Sequence, residues 1–586
     1  MTGTVADHLL ARLGEWGVPH VFGCPGDGLG GLLAAWERVR DAPRFIRSGH
    51  EELSALEAVG YARFSGRLGV CAAPSGPGAI QLLGGLYDAR LDRVPVVALV
   101  GQTPRSAMGG SYPREVDLPA LFHDVAAAFL ETVTVPEQLP NVLDRAIRTA
   151  YARRAPTAVI IPSDVQELVY APPGHASAMV PSSLDRSGWS AVPSGAALER
   201  AAEVLNAGDR VAVLIGRGAV RAGAEVRRVA ERLGAGVAKA LLGLDALSDE
   251  LPYVTGPIGP LGTRPSYELM RDCDTLLTVG SSFPYSQYLP ESGAVRAVQI
   301  DLDPHMIGLR YPYEVNLVGD ARETLLRLLP LLHRAEDRDW QDGVVAGVRR
   351  WRRALAHRAA LPADPLNPAY VADRLDPLLP PDTIVTCDSG AVTPWYARHL
   401  RMRGELRAAL SGTLGTAGCA VPYAIGAKFA RPERPVVALA GDGAMRRTGL
   451  AGLVTAAAYR DAWENPRLVI GVWHDREDGG AASQGCPQVP YAGFARSLGL
   501  TGIRVERPEY VEQAWREALG ADGPAVVEFR TDPGVTPLPP DADWAEWEGP
   551  PETGEEDGAD AGAAGTVRRG FGARAREFLP HRGEDR

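Results

Sequence analysis

Lysine is nearly missing from this chain: of its 61 basic residues only Lys239 and Lys428 are lysines, a bias that reads as genomic base composition rather than function. Long apolar runs are missing too, so no segment is suited to cross a bilayer. The opening Met1-Thr-Gly-Thr-Val-Ala-Asp-His lacks the basic and apolar regions of a signal peptide. Cysteine is scarce and scattered. Cys24, Cys71, Cys273, Cys387, Cys419 and Cys486 show no metal-type spacing and several lie in apolar strand contexts, which points to buried free thiols in a reducing cytoplasm. Positive charge is not in excess either; a formal net charge of −11 argues against nucleic acid as a partner. What is present is an ordinary globular composition, 45% apolar and 23% charged, over 586 residues. That length is too great for one core and implies roughly three or four domains.

Helical and strand patterns alternate along most of the chain. His20–Gly23, Arg44–Arg47, Gly69–Ala73 and Val94–Gly101 read as strands between amphipathic or acid-started helices, among them the helix opened by His50-Glu51-Glu52. Ala171-Pro-Pro-Gly through Ser183 is linker-like. A second unit follows, with glycine turns after Val211–Ile215 and Thr275–Val279, and then a charged helical arm. A third begins at Ile384. Such alternation predicts an α/β protein of doubly wound parallel sheets with ligand sites at the carboxyl ends of the strands. The expected divisions are 1–170, a linker over 171–195, a central unit over 196–334, an arm over 335–365, a third unit over 366–532, and a disordered tail over 533–586, rich in Pro, Gly, Glu and Asp.

The chemistry concentrates on Pro435-Val-Val-Ala-Leu-Ala-Gly-Asp-Gly-Ala-Met445. A buried strand delivers Gly441-Asp442-Gly443 at its carboxyl end, and a second strand, Arg467–Trp473, ends in His474-Asp475. Two strand ends presenting oxygen ligands beside a glycine turn suit a hard divalent cation holding phosphates. Alone, Gly-Asp-Gly is most often an ordinary turn.

Joined with Phe22-Gly-Cys-Pro-Gly-Asp27, His50-Glu-Glu52, Ser75-Gly-Pro-Gly78, Gly85-Leu-Tyr-Asp88, Ala238-Lys-Ala-Leu-Leu-Gly243, Gly280-Ser-Ser-Phe283 and Gln299-Ile-Asp-Leu-Asp303, it resembles the thiamine-diphosphate enzymes of the pyruvate oxidase and acetolactate synthase family, over residues 3–530 or so. The resemblance implies three such units binding pyrimidine, FAD and diphosphate in turn. It implies that Glu51 hydrogen-bonds the aminopyrimidine, so that the cofactor's own exocyclic nitrogen removes the thiazolium C2 proton and the ring then serves as electron sink. Pro25, Gly26, Gly390, Ala391, Thr413, Gly415, Ala417, Gly441, Gly443 and Ala444 would line the cofactor. Asp442, Asp475 and the carbonyl of Glu477 would hold Mg²⁺, and Gly76 and Arg114 would face a 2-oxo acid. For FAD the matching positions are Gly216, Gly218, Gly262, Thr263, Gly280, Ser281, Ser282, Phe283, Asp301 and Asp303.

Three departures stand out. Asp475 takes the place of a neutral amide, and the added charge near a diphosphate costs about 1–4 kcal/mol; Arg446 and Arg447 read equally as residues that offset it and as solvent-facing helix residues. Ala417 replaces the bulky wedge that bends the cofactor. Pro113-Arg114 replaces a Phe-Gln pair, and Arg114 reads equally as a ligand for a substrate carboxylate and as a surface-loop arginine. The expected activity is decarboxylation of a pyruvate-like 2-oxo acid, oxidative through FAD to a quinone or oxygen, in a cytoplasmic homodimer or homotetramer with sites between subunits. The alternatives are a non-oxidative carboligase or decarboxylase, and a non-catalytic paralogue acting as an assembly partner. Arg568, Arg569, Phe571, Arg574, Arg576, Phe578 and Leu579 in the tail form a basic-aromatic patch that reads either as a solvated tail or as a weak membrane-surface contact.

Overall fold

The computed structural model describes residues 3–170, 191–475 and 488–548. Most of the expected linker, Glu477, Cys486 and the patch between Arg568 and Leu579 lie outside the described residues.

Uninterrupted apolar runs produce strands that are covered on both faces, and every residue of Val96–Gln102, Pro156–Pro162, Val211–Ile215 and Ala525–Thr531 is buried. They assemble into three six-stranded parallel sheets. In the N-terminal sheet the order is Arg44–Arg47, His20–Gly23, Gly69–Ala73, Val96–Gln102, Pro156–Pro162, Leu130–Thr132. The C-terminal sheet repeats that order with Arg407–Ala409, Ile384–Cys387, Val436–Gly441, Leu468–Asp475, Ala525–Thr531 and Thr501–Val505. The central sheet differs: counted from its first strand, Val211–Ile215, it runs 3-2-1-4-5-6, the doubly wound dinucleotide-type order.

In each sheet the chain leaves in opposite directions from two neighbouring strands, which opens a crevice beyond their carboxyl ends. In the N-terminal sheet these are His20–Gly23 and Gly69–Ala73, in the C-terminal sheet Ile384–Cys387 and Val436–Gly441, in the central sheet Val211–Ile215 and Thr275–Val279. Pro25, Gly26 and Gly76, Gly390 and Asp442, and Gly216 and Gly280 come directly after these strands.

The outer sheets meet through two helices with no polar stripe, Glu51–Ser65 and Ala420–Ala430, which is the composition of helices buried all round. Small residues set their separation. A Cβ at Gly60 would lie 2.6 Å from the Tyr423 carbonyl oxygen, and one at Gly426 would lie 2.2 Å from that of Glu57. Across the same contact Tyr423 donates to buried Asp88, beside which the buried Arg63 pairs with Asp92 within the N-terminal unit.

Disorder was expected from residue 533, and the structure corrects this for the first part of the segment. Residues 533–548 are described, and Trp544–Glu548 is a short helix. The physical reason is aromatic: Trp547 packs edge-on against Trp351 at 4.4 Å, in a cluster with Ala354, Leu355 and Ala542.

Candidate functional site

The C-terminal crevice is built from three loops. Asp388, at the end of Ile384–Cys387, is buried and accepts from the Gly418 and Cys419 amides at 2.6 and 3.0 Å. Burial raises its carboxyl above the ordinary range, and those two amides pull it back down. The glycine loop is fixed further by Ser389 Oγ on the Ser411 carbonyl at 2.5 Å and by Thr448 Oγ on the Gly418 carbonyl at 2.6 Å. From the other side of the molecule Asp92 accepts from the Gly412 and Thr413 amides at 3.1 and 2.9 Å. So held, the loop keeps Thr413 and Gly415 exposed and Ala417 half-buried, while Gly390 and Ala391 lie exposed beyond Asp388. Among the described residues a Cβ on Gly415, Gly441 or Gly443 would meet nothing within 4 Å. These glycines border empty space.

Asp442 lies at the base of this space, in the turn Asp442–Ala444. The next residues, Met445–Gly449, form one turn of π-helix, a distortion that recurs at functional sites. Arg446, four residues beyond Asp442, pairs with its carboxylate. Tyr491 Oη donates to the other carboxylate oxygen at 2.5 Å and His474 Nε2 stands 3.4 Å from it. Burial first, and then the Asp442 charge, push the Tyr491 phenol above its ordinary value. His474 is buried, with Glu528 at 3.0 Å and the Arg530 guanidinium at 2.8 Å. Asp475 accepts from Thr531 Oγ. Both Asp442 oxygens are therefore engaged by the chain's own donors, and no three His, Cys, Asp or Glu side chains converge on a metal-sized site among the described residues. Glu477, the third expected Mg²⁺ ligand, lies outside the described residues, so Asp442 and Asp475 are the members of that set whose surroundings are described.

In the N-terminal crevice Glu51 begins the helix Glu51–Ser65, with the His50 ring accepting the Glu52 amide at 3.2 Å as its cap. A Cβ at Gly78 would lie 2.8 Å from Glu51 Oε1, and one at Gly26 would strike the Pro74 ring. The loop carrying Pro25 and Gly26, the turn carrying Gly76, and Glu51 are thus adjacent. Gly76 adopts φ +67, where its missing Cβ leaves room for the Arg114 backbone. Arg114 is half-exposed and pairs with Asp27. Glu52 pairs with Arg447 at 2.9 Å, which ties the start of the Glu51 helix to the π-turn beside Asp442 in the same chain.

The central crevice is different. A Cβ at Gly216 or Gly218 would collide with Gly280, one at Gly280 with Gly218, and one at Gly262 with the Pro257 carbonyl. These glycines serve close backbone packing. Thr263 caps the helix Arg264–Asp272 and donates to the Thr255 carbonyl, Ser281 is buried, Ser282 lies half-buried beside it, and Phe283 is buried in the apolar core. The half-buried Asp301 accepts the Asp303 amide, and Asp303 pairs with Arg93 from the N-terminal unit at 2.9 Å. The glycines expected to line FAD thus pack against neighbouring backbone, and Thr263, Asp301 and Asp303 make contacts within the chain.

Sequence reasoning missed the roles of Asp388, Asp92, Tyr491, Glu528 and Arg530. Asp388 ends a strand that the apolar pattern marks, and Asp92 comes one residue before the strand-starting Arg93-Val-Pro-Val96, so both left a usable signal. The last three converge only through the fold.

Family models match three segments: the N-terminal TPP binding domain of thiamine pyrophosphate enzymes over residues 3–121, their central domain over 198–328, and their C-terminal TPP binding domain over 388–529. Among curated proteins, one from Bacillus subtilis named as thiamine pyrophosphate-containing is 33% identical over 90% of this chain and 91% of its own. The pyruvate oxidase of Lactiplantibacillus plantarum is 31% identical over 77% and 74%. An acetolactate synthase large subunit of Corynebacterium glutamicum is 30% identical over 90% and 86%.

Proposed function

Because the chain belongs to the thiamine pyrophosphate enzyme family, we propose that it binds thiamine diphosphate between its N- and C-terminal sheets and decarboxylates a 2-oxo acid of pyruvate type. The observation that carries this reading is the open glycine cradle of Gly415, Gly441 and Gly443, tied by Arg447 and Glu52 to the helix that starts with Glu51. Bound there, the cofactor supplies a carbon nucleophile and an electron sink. The chain's own residues do the rest. Glu51 holds a proton against the pyrimidine ring nitrogen. Thr413, Gly415 and Ala444 shape the diphosphate end, while Gly390 and Ala391 line the mouth. Arg114, released from Asp27, offers a guanidinium to the substrate carboxylate beside Gly76. Magnesium held by Asp442, Asp475 and the Glu477 carbonyl is the expected counter-ion, and it requires Arg446 to leave Asp442. A cytoplasmic dimer or tetramer with sites between subunits belongs to the same reading.

Two outcomes follow decarboxylation in the relatives. The likeness to a pyruvate oxidase supports oxidation through FAD. Likeness to acetolactate synthases supports carboligation as the alternative. The absorbance spectrum of purified protein separates them: flavin bands support the oxidase, and a colourless preparation that couples two acyl units supports the carboligase. The test of the core reading is Glu51→Ala. Thiamine diphosphate affinity should stay within about threefold while C2 proton exchange, read by NMR after acid quench, falls by at least about 100-fold. Unchanged exchange removes Glu51 from its role. Absence of calorimetric binding at millimolar cofactor leaves the non-catalytic paralogue instead.

A further inference from the structure

We propose that a cavity where the central unit, the long helical arm and the C-terminal unit meet is a second ligand site, built for a small organic phosphate. The cavity has a volume of about 340 Å³, within the range of small-molecule sites. Its walls come from the strand Val254–Pro257, the arm helix Asp339–Ala360, the end of the helix Pro368–Leu375 and the last turn of the helix Thr393–His399. No residue of the glycine cradle borders it. Of the positions expected to line FAD only Thr263 does, and its hydroxyl donates to the Thr255 carbonyl.

Arg398 carries the argument. It is 7% exposed, and among the described residues its guanidinium meets neutral groups alone: the Gly262 carbonyl at 2.9 Å, the Pro260 carbonyl at 3.4 Å and the Trp547 ring at 5.3 Å. The three carboxylates that border the cavity are committed to other partners. Asp249 is held by Lys239 and the Met402 amide, Asp376 by Arg401 and Arg403, and Asp373 by Arg374. A guanidinium taken out of water with no acid beside it is costly, and an anion entering the cavity supplies the missing charge. Burial holds Arg398 down at about 9, as that environment requires.

A second group points the same way. Arg374 Nε is buried and has no hydrogen-bond partner among the described residues, and Arg374 borders the same cavity. The buried His399 ring and the exposed Arg352 and Arg401 extend this basic lining. Donors arriving from separate elements suit a tetrahedral phosphate, which accepts from several directions, better than a planar carboxylate taken by one fork. Leu244, Val254, Val348 and Leu355 offer apolar wall to the organic body of the ligand.

The test measures binding. Full-length protein is titrated calorimetrically with phenyl phosphate, with inorganic phosphate and with phenol, each in the absence and presence of saturating thiamine diphosphate. The wild type should bind one phenyl phosphate per chain, inorganic phosphate at least about tenfold more weakly, and phenol not at all at about 10 mM. Arg398→Gln should lose at least about tenfold in phenyl phosphate affinity and Arg374→Gln at least about threefold. The second variant alters a half-buried side chain, so it keeps the test open where the first fails to fold. Arg227→Gln, on an exposed helix face away from the cavity, should match the wild type. Thiamine diphosphate should leave the affinity within about twofold, because the two sites share no residue. Phenyl phosphate that thiamine diphosphate displaces, or that Arg374→Gln binds as the wild type does, lies elsewhere and overturns the inference. Absence of binding to the wild type at about 10 mM overturns it as well. None of these readouts needs turnover, so either result leaves the proposed function to its own test.

Discussion

Glu57 is fully buried on the helix that begins with Glu51, and no cation pairs with it among the described residues. Ser48 Oγ donates to one carboxyl oxygen at 2.5 Å, while the other has no hydrogen-bond partner there. Burial outweighs the serine and pushes its pKa up to about 8. In the unfolded chain it titrates near the usual glutamate value of about 4.3. Between those limits the unfolded state sheds a proton that the folded state keeps, so stability falls as pH rises from about 4.3 to about 8 and is flat beyond. Glu57→Gln removes this dependence. Each pH unit across that window is worth up to about 1.4 kcal/mol. The variant should match the wild type near pH 4 and exceed it by at least about 1 kcal/mol at pH 8. Chemical denaturation at the two pH values checks it; a constant difference would show that Glu57 is already charged in the fold. The two lysines yield to the same scale of argument. Lys239 Nζ donates to the Leu244 and Leu247 carbonyls and pairs with Asp249, and Lys428 Nζ donates to the Pro432, Arg434 and Asn465 carbonyls. A compact ammonium fits among converging carbonyls where a planar guanidinium does not. In a chain that otherwise uses arginine, that geometry accounts for the two that remain.

At the scale of elements, the glycine loop before Ala420–Ala430 has little side-chain mass of its own and takes its shape from carboxylates on other segments. Asp388 holds one end and Asp92 the other, with Asp92 also pairing the buried Arg63. Asp92→Ala should therefore do two things. It strands a guanidinium that is 2% exposed, costing about 3–5 kcal/mol, and it frees Gly412 and Thr413, so cofactor affinity should fall by more than the cradle's own contacts explain. Melting temperature and calorimetric affinity read the two effects separately; a stable variant with intact binding would mean the loop holds itself. This dependence explains what the sequence could and could not disclose. Central strands such as Val436–Gly441 were legible because an unbroken apolar run ending in glycine has few alternatives. The stretch after Gly76 forms two helices rather than one, Pro77–Gln81 and Leu83–Leu91. Short edge strands, Leu130–Thr132 and Arg407–Ala409 among them, carry too little pattern to be read. Gly441-Asp442-Gly443 was visible as a motif. The Asp442–Arg446 pair has an ordinary four-residue helical spacing, but that Tyr491 would reach Asp442 depends on a helix 49 residues away in sequence and leaves no periodic trace.

Over the whole molecule, two sheets of identical strand order flank a third of different order, and one long helix, Asp339–Ala360, runs between the central and C-terminal units. Composition suggested that the chain from residue 533 would not join this assembly, because proline, glycine and acidic residues dominate it. Its tryptophans decide otherwise. Trp547 packs on Trp351 of the long helix and lies under the Arg398 guanidinium at 5.3 Å, while Arg398 in turn donates to the Gly262 carbonyl of the central unit. Burial pushes Arg398 down to about 9, so a water-excluding partner on its face is part of its environment. Arg350 pairs with Glu548, and Arg264 donates to the Asp541 and Ala542 carbonyls. Residues 541–548 thus touch the central unit, the arm and the C-terminal unit together. Trp547→Ala removes a side chain that is 2% exposed, a loss of about 3–5 kcal/mol for a buried aromatic, and opens Arg398 to water. The expected result is a lower melting temperature with protease cleavage appearing between 532 and 548, while Trp544→Ala, whose ring is only partly buried, should do less. If cleavage near 540 is already fast in the wild type and Trp547→Ala leaves melting unchanged, the segment merely rests on the surface. The three units would then be held by the paired helices and the long arm alone.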